Sequence, residues 1–167
     1  MSDDHGPVQG VEELPGADRI APVTALPSRL SAVTIGARDL PKLRRFYSGL
    51  GWSEVPGSDD NWASYHLGGV LLALYPLDEL AAEAAPDLPR PAGFSGITVA
   101  CNVDSEEQVD TAFAAAVAAG ATPIAEPVAR DWGGRSAYFA DPEDNRWEIA
   151  WASSTVFDER GALVSFG

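Results

Sequence analysis

The chain has 167 residues, 46% of them hydrophobic, with 25 acidic against 11 basic side chains and a formal charge of −14. That size suits one compact domain or two closely packed modules. The charge argues against nucleic acid and anionic membrane surfaces as partners, because both require clustered Lys and Arg. No apolar run reaches the ~18 residues of a membrane span and no basic-then-apolar leader is present, so a cytoplasmic protein is expected. The single cysteine, Cys101, leaves no internal disulfide and no thiolate cluster for zinc. Within its apolar run it reads as a buried small hydrophobe.

Residues 1–28 are rich in acid, Pro and Gly without a sustained period, which reads as a disordered or draped tail containing His5. From Ser31 to Gly36 the alternation of a strand begins, with Val33 and Ile35 on one face. Asp39 is placed to cap a helix, Pro41 sits in its first turn, Leu43, Phe46, Tyr47 and Leu50 recur at helical spacing, and Gly51 ends it. Two strand-like runs, 62–67 and 70–75, flank Gly68-Gly69, a hairpin signal. Residues 77–95 form a connector, helix-prone at first and then broken by prolines.

The order then repeats. A strand over 96–103 leads to a helix opened by Ser105-Glu106-Glu107-Gln108 and running through Val109, Phe113 and Val117 to Gly120. After Thr122-Pro123-Ile124 comes a loop holding Asp131-Trp132-Gly133-Gly134. A hairpin follows: strand 135–139, the turn Asp141-Pro142-Glu143-Asp144-Asn145, and strand 146–151. Residues 153–167 form a C-terminal tail with room for a short hairpin. Residues 29–152 thus read as an α+β domain of two βαβββ modules, 31–76 and 96–152, which share element order and almost no letters.

Two segments carry a resemblance. The first is Ala37-Arg38-Asp39-Leu40 with Phe46-Tyr47 and Leu50-Gly51-Trp52, and the second is the closing Asp141-Pro142 with Glu148. Over residues 31–152 the chain resembles the vicinal oxygen chelate superfamily of glyoxalases, bleomycin-resistance proteins and extradiol dioxygenases. The resemblance implies paired modules whose mixed sheets curl around a cavity with helices outside, and a homodimer. In the metal-dependent members each module gives one ligand from its first strand and one from its last. Those positions fall near Ala32, on Ala73, near Thr98 and on Glu148, so one carboxylate survives of four ligands. No His, Asp or Glu lies on either first strand, so no metal site and no cofactor are expected.

A two-residue turn at Gly68-Gly69 pairs Leu67 with Val70 and His66 with Leu71. Trp62, Ser64 and His66 then share a face with Leu71, Ala73 and Tyr75, and the ligand position of Ala73 makes that face the concave one. In module two the same logic turns Thr98, Ala100, Asn102 and Glu148 inward, with Ile97, Val99, Cys101, Trp147 and Ile149 toward the helices. The expected ligand-binding residues are Trp62, His66, Tyr75, Thr98, Asn102, Trp132 and Glu148. Aromatic walls and one carboxylate suit a flat, cationic or aromatic organic ligand. Each has a plainer alternative: Trp62 as core, His66 as a structural histidine, Tyr75 as rim, Trp132 as an aromatic staple, and Glu148 as a relic paired with Arg135 or Arg146.

Three functions are weighed; the plainest, an interaction module whose cavity is vestigial, stands behind two others. One is a metal-free binding protein that sequesters a small molecule in the manner of drug-resistance members. The other is an enzyme of lyase, isomerase or dioxygenase-like chemistry with His66 and Glu148 as acid and base, since histidine titrates near neutral pH. No Ser-His-Asp set and no nucleotide-binding glycine pattern is present.

Overall fold

Strand pairing follows the alternation of apolar residues. The computed structural model describes residues 26–89 and 93–165. The tail expected over residues 1–25, with His5, lies outside the described residues. β1 (Ala32–Ala37) pairs in parallel with β3 (Val70–Pro76), and β3 pairs antiparallel with β2 (Ala63–Leu67). Leu67 is opposite Val70 and His66 opposite Leu71, the register that the Gly68-Gly69 turn imposes. Gly68 adopts φ 60°, a conformation that glycine enters without the penalty a Cβ carries. Module one's remaining strand is reduced to a single bridge between Glu54 and Tyr65.

Helix α1 (Leu40–Gly49) follows β1 and buries Leu40, Leu43, Phe46 and Tyr47 on one face. Asp39 caps it by accepting from the Lys42 N–H at 2.9 Å. Helix α2 (Leu77–Ala84) follows β3 directly. Module two repeats the plan: β4 (Thr98–Asn102), helix α3 (Glu106–Ala118), β5 (Thr122–Ala129), β6 (Arg135–Ala140) and β7 (Arg146–Trp151). Its sheet has the order β4-β7-β6-β5, with only β4 and β7 parallel. A short hairpin of β8 (Val156–Phe157) and β9 (Leu163–Ser165) closes the chain.

Several expectations need correction. β5 takes up much of what reads as loop after Ile124, running eight residues with two register shifts, because its pairing to β6 continues to Ala129. The Ser105 hydroxyl makes no capping bond; Gln108 Oε1 instead receives the Asp104 N–H at 2.8 Å. Val117 is exposed and Ala116 takes the buried position. β4 is an edge strand, so Ile97, just before it, is 65% exposed and Cys101 reaches the surface. Among the described residues no helix is long and apolar enough to cross a membrane.

One apolar core serves both modules. Ile35, Leu72 and Leu74 from the first sheet, Phe139, Trp147 and Ile149 from the second, and Val109 from α3 meet around α1. Each large side chain buried this way contributes roughly 1.5–3 kcal/mol. The Phe46 and Phe139 rings lie 6.3 Å apart, and Tyr47 and Trp147 5.8 Å apart. The core is also tied by hydrogen bonds. Tyr47 donates its hydroxyl to Asp141 Oδ2 at 2.7 Å and accepts from Trp147 Nε1 at 3.2 Å. Two turn residues further, the Glu143 carboxylate accepts the N–H groups of Arg38 and Asp39 where α1 begins. A negative charge is favoured there by the unpaired N–H groups and the helix dipole. The turn between β6 and β7 therefore fastens module two onto module one.

Two stability outcomes follow from these bonds. Tyr47→Phe leaves Asp141 and the Trp147 N–H short of a partner in a buried setting, and is expected to lower unfolding stability by about 1–3 kcal/mol in urea titration. An unchanged midpoint would contradict the tie. Arg44 grips Glu54 through two bonds at 2.9 and 2.7 Å, anchoring the isolated bridge. The Arg44 bond, then its charge, holds the Glu54 carboxyl below the usual range, against some opposing burial. A depressed carboxyl pKa contributes stability above the unfolded value of about 4.3 and loses it as pH falls through the folded one. Wild type should therefore exceed Glu54→Gln in stability at pH 7 and converge with it in strong acid; a pH-independent gap would refute the role.

Candidate functional site

The registers of the second sheet assemble a face that the core does not use. Across the strands, one row is Ala100, Glu148, Tyr138 and Ala125; the next is Asn102, Ala150, Ser136 and Val128; the third is Thr98, Arg146, Ala140 and Thr122. Trp147, Ile149, Ala137 and Phe139 alternate with these and point into the core. Four alanines therefore floor the inward face: Ala100 is open to solvent, Ala125 half-buried, and Ala140 and Ala150 covered.

Glu148 stands on this floor half-buried. Its Oε1 accepts the Tyr138 hydroxyl at 2.8 Å, and among the described residues its Oε2 accepts nothing. Neither arginine suggested as its partner reaches it: Arg135 binds Asp110 at 2.7 Å and Arg146 binds Asp144 at 3.1 Å. The bond to Glu148, then burial, raises the Tyr138 phenol above its ordinary value, so it stays a donor at neutral pH. One row along, Arg130 Nε donates to the buried Ser136 hydroxyl at 2.8 Å, and its guanidinium lies 5.7 Å from the Tyr138 ring centre. Asn102 and Thr98 lie on the same face, Thr98 exposed.

Trp132 is 53% exposed in the turn between β5 and β6. Its ring folds back over Gly134, at the spot a Cβ there would occupy. Gly134 precedes Ser136 by two residues, so the indole roofs the end of the inward face, compatible with both the lid and the staple readings.

The inward face of the first sheet differs. Trp62 and Tyr75 meet edge to face with centroids 5.9 Å apart, while Ser64 and Ala73 are buried and His66 is exposed. Helix α2 lies over this face, with Leu77 and Leu80 against Gly36, where no side chain intervenes. This one helix departs from the expectation that all helices lie outside. Tyr75 donates to Glu83 of α2 at 3.1 Å. Bonds to Glu79 and Glu83 push its phenol up to about 12. The expected ligand residues thus fall into two groups on separate sheets. Among the described residues no hydrogen bond or ring contact joins Trp62, His66 or Tyr75 to Thr98, Asn102, Trp132 or Glu148.

A third place, which sequence reading missed, is a cavity of about 590 Å³ between the modules, lined by Ala37, Arg38, Leu77, Phe94, Glu143 and Arg146 among others. None of the expected ligand residues lines it. Tyr138, Ser136 and Arg130 were missed as well. For Tyr138 and Ser136 a signal existed: counting back from the turn places Ala140 opposite Arg146, and hence Tyr138 opposite Glu148.

The family's metal positions can be tested on these registers. The expected positions are Ala32, Ala73, Thr98 and Glu148. Ala32 stands opposite Leu71 and Thr98 opposite Arg146, each two residues short of the residue facing its last-strand partner, Thr34 opposite Ala73 and Ala100 opposite Glu148. The four positions offer one carboxylate and one hydroxyl, and among the described residues no three His, Cys, Asp or Glu side chains converge. This donor set does not fit a divalent metal, which takes several N or O ligands.

Comparison with known proteins agrees with this architecture. The family model described as Glyoxalase/Bleomycin resistance protein/Dioxygenase superfamily matches residues 29–149. No curated protein matches the sequence significantly. Among solved structures, a glyoxalase-related enzyme from Fulvimarina pelagi is 27% identical, with a TM-score of 0.75 over 84% of this chain and 99% of that one. A lactoylglutathione lyase from Agrobacterium tumefaciens is 22% identical, with a TM-score of 0.59 over 76% and 96%. A fosfomycin resistance protein from Mesorhizobium loti is 21% identical, with a TM-score of 0.57 over 77% and 95%. The last two are similar to this chain in fold alone.

Gly134→Ala tests how the roof is held. Its Cβ would overlap the Trp132 ring and the Trp151 carbonyl oxygen, and that backbone atom cannot move aside. The variant is expected to lose about 1–3 kcal/mol of stability and to raise the acrylamide quenching of Trp132, already half-exposed. Unchanged stability and quenching would show that Trp132 does not sit there.

Proposed function

The chain belongs to the Glyoxalase/Bleomycin resistance protein/Dioxygenase superfamily, and from that premise we propose that it is a metal-free protein that sequesters a small organic molecule. The ligand lies on the inward face of the second sheet and presents a cationic or hydrogen-bond-donating group to Glu148. The observation that carries this reading is the Tyr138–Glu148 bond. It fixes one carboxylate oxygen and leaves the other turned to a half-buried, alanine-floored face. A carboxylate in such a setting is costly unless matched by a donor, and a bound ammonium, amide or hydroxyl supplies one. Trp132 contributes an aromatic surface at one end of the face.

Several observations favour binding over catalysis. The alternative acid–base pair is divided, with His66 exposed on the first sheet and Glu148 on the second. The group that touches Glu148 is a tyrosine held in its protonated form. The surviving donors at the family's metal positions fall short of a coordination shell, so no Lewis-acid step is assigned to them.

Thermal unfolding with benzylammonium chloride as probe tests the proposal. Wild type is expected to be stabilised by RT ln(1 + c/Kd) at free probe concentration c, about 2.7 kcal/mol at a hundredfold excess over Kd. Glu148→Gln should lose most of that shift, and EDTA should change neither protein. Near-stoichiometric stabilisation by nickel, zinc or ferrous iron would contradict the metal-free reading. A benzylammonium shift that survives Glu148→Gln would contradict the assigned site.

A further inference from the structure

In this acidic chain the described arginines in ion pairs each have a carboxylate partner. Arg38 pairs with Glu143, Arg44 with Glu54, Arg135 with Asp110, Arg146 with Asp144 and Arg160 with Asp158. Arg29 and Arg45 are exposed to solvent. Arg130 is different. It is half-buried, and among the described residues no carboxylate lies within ion-pair distance of it.

Its position is nevertheless well determined. The Arg130 N–H donates to the Gly134 carbonyl at 2.8 Å, and the Arg130 carbonyl accepts from Gly133 N–H at 3.0 Å, which closes the turn between β5 and β6. The side chain is held at Nε by Ser136, itself 1% exposed, and lies over the Tyr138 ring. Both Nη atoms are left without partners among the described residues. A guanidinium fixed at Nε and against an aromatic face presents its remaining donors as a fork, a geometry that matches the two oxygens of a carboxylate. These Nη atoms reach solvent, whereas the guanidinium nitrogen that is both buried and unpaired among the described residues is Arg146 Nη1, so a ligand would meet Arg130 as an open fork.

The neighbouring row completes the picture. Ser136 and Tyr138 are two residues apart on β6, so the Arg130 and Glu148 rows are separated by about 7 Å along the strand. One face therefore offers an unpaired cation and, one row away, a carboxylate with a free oxygen. We propose that Arg130 is the anion-receiving group of this site, and that the ligand is a zwitterion whose carboxylate docks on Arg130 while its ammonium docks on Glu148. This rests on the assignment of the second sheet's inward face as the binding site.

Isothermal titration with three matched probes tests it: benzoate, benzylammonium, and 4-(aminomethyl)benzoate, which carries both charges at a comparable separation. Wild type is expected to bind the zwitterion more tightly than either single-charge probe. Arg130→Met should weaken benzoate and the zwitterion by about tenfold or more without weakening benzylammonium, which loses a like-charged neighbour. Arg130→Lys, which keeps the charge without the fork, should fall between them, and it keeps the test open should the methionine variant fail to fold. Glu148→Gln should show the mirror pattern. Benzoate binding equally to wild type and Arg130→Met, or not binding wild type while benzylammonium binds through Glu148, would overturn the role of Arg130 and leave the site standing. Failure of all three probes to bind at millimolar concentration would overturn both.

Discussion

The Asp141 carboxylate is the point on which the rest of the structure depends. It is 2% exposed and has no ion-pair partner among the described residues. Four hydrogen bonds hold it instead: from the N–H groups of Glu143 and Asn145, the Asn145 side-chain amide and the Tyr47 hydroxyl. A buried carboxylate is tolerable only when its oxygens are satisfied in this way. Three of those donors belong to its own turn and shape it, with Asp144 in the left-handed region at φ 77° that Asp tolerates. The fourth reaches across to the other module. Local turn chemistry and the joining of the two modules are therefore a single interaction.

The consequences spread from there. A turn held in this form aims Glu143 at the start of α1 and sets the register in which Ala140 faces Arg146. Once that register is set, every second residue of β6 and β7 belongs to the core and the others to the inward face. Tyr138 comes opposite Glu148, and Ser136 is placed to hold Arg130. A one-residue slip would turn Trp147 out of the core and Glu148 into it, which the apolar packing around Tyr47 forbids. The chemistry of the face is thus a by-product of the same constraint that secures the fold.

Much of this was legible in the residue order. Alternation along 62–67 and 146–151 assigned the faces, and Gly68-Gly69 fixed a hairpin register to the residue. The failures have physical causes. Ile97 and Cys101 alternate like buried residues, but β4 is an edge strand, and alternation does not reveal what covers an edge. Asp141 and Glu143 read as turn formers because their partners, Tyr47 and the start of α1, are about a hundred residues away. Arg130 was invisible for another reason: two register shifts in β5 separate it from any count along the strand. Trp62, His66 and Tyr75 do share a face as alternation required, but nothing in their spacing disclosed that α2 folds over it.

The central claim is that a ligand occupies the inward face of the second sheet, between Arg130 and Glu148. The most direct measurement is a map of backbone amide and Arg Nε–H chemical shifts in the isotopically labelled protein as 4-(aminomethyl)benzoate is added. The account requires the largest saturable changes at Arg130, Ser136, Tyr138 and Glu148. Changes gathered instead around Trp62, His66 and Tyr75, with β6 and β7 unmoved, would contradict it.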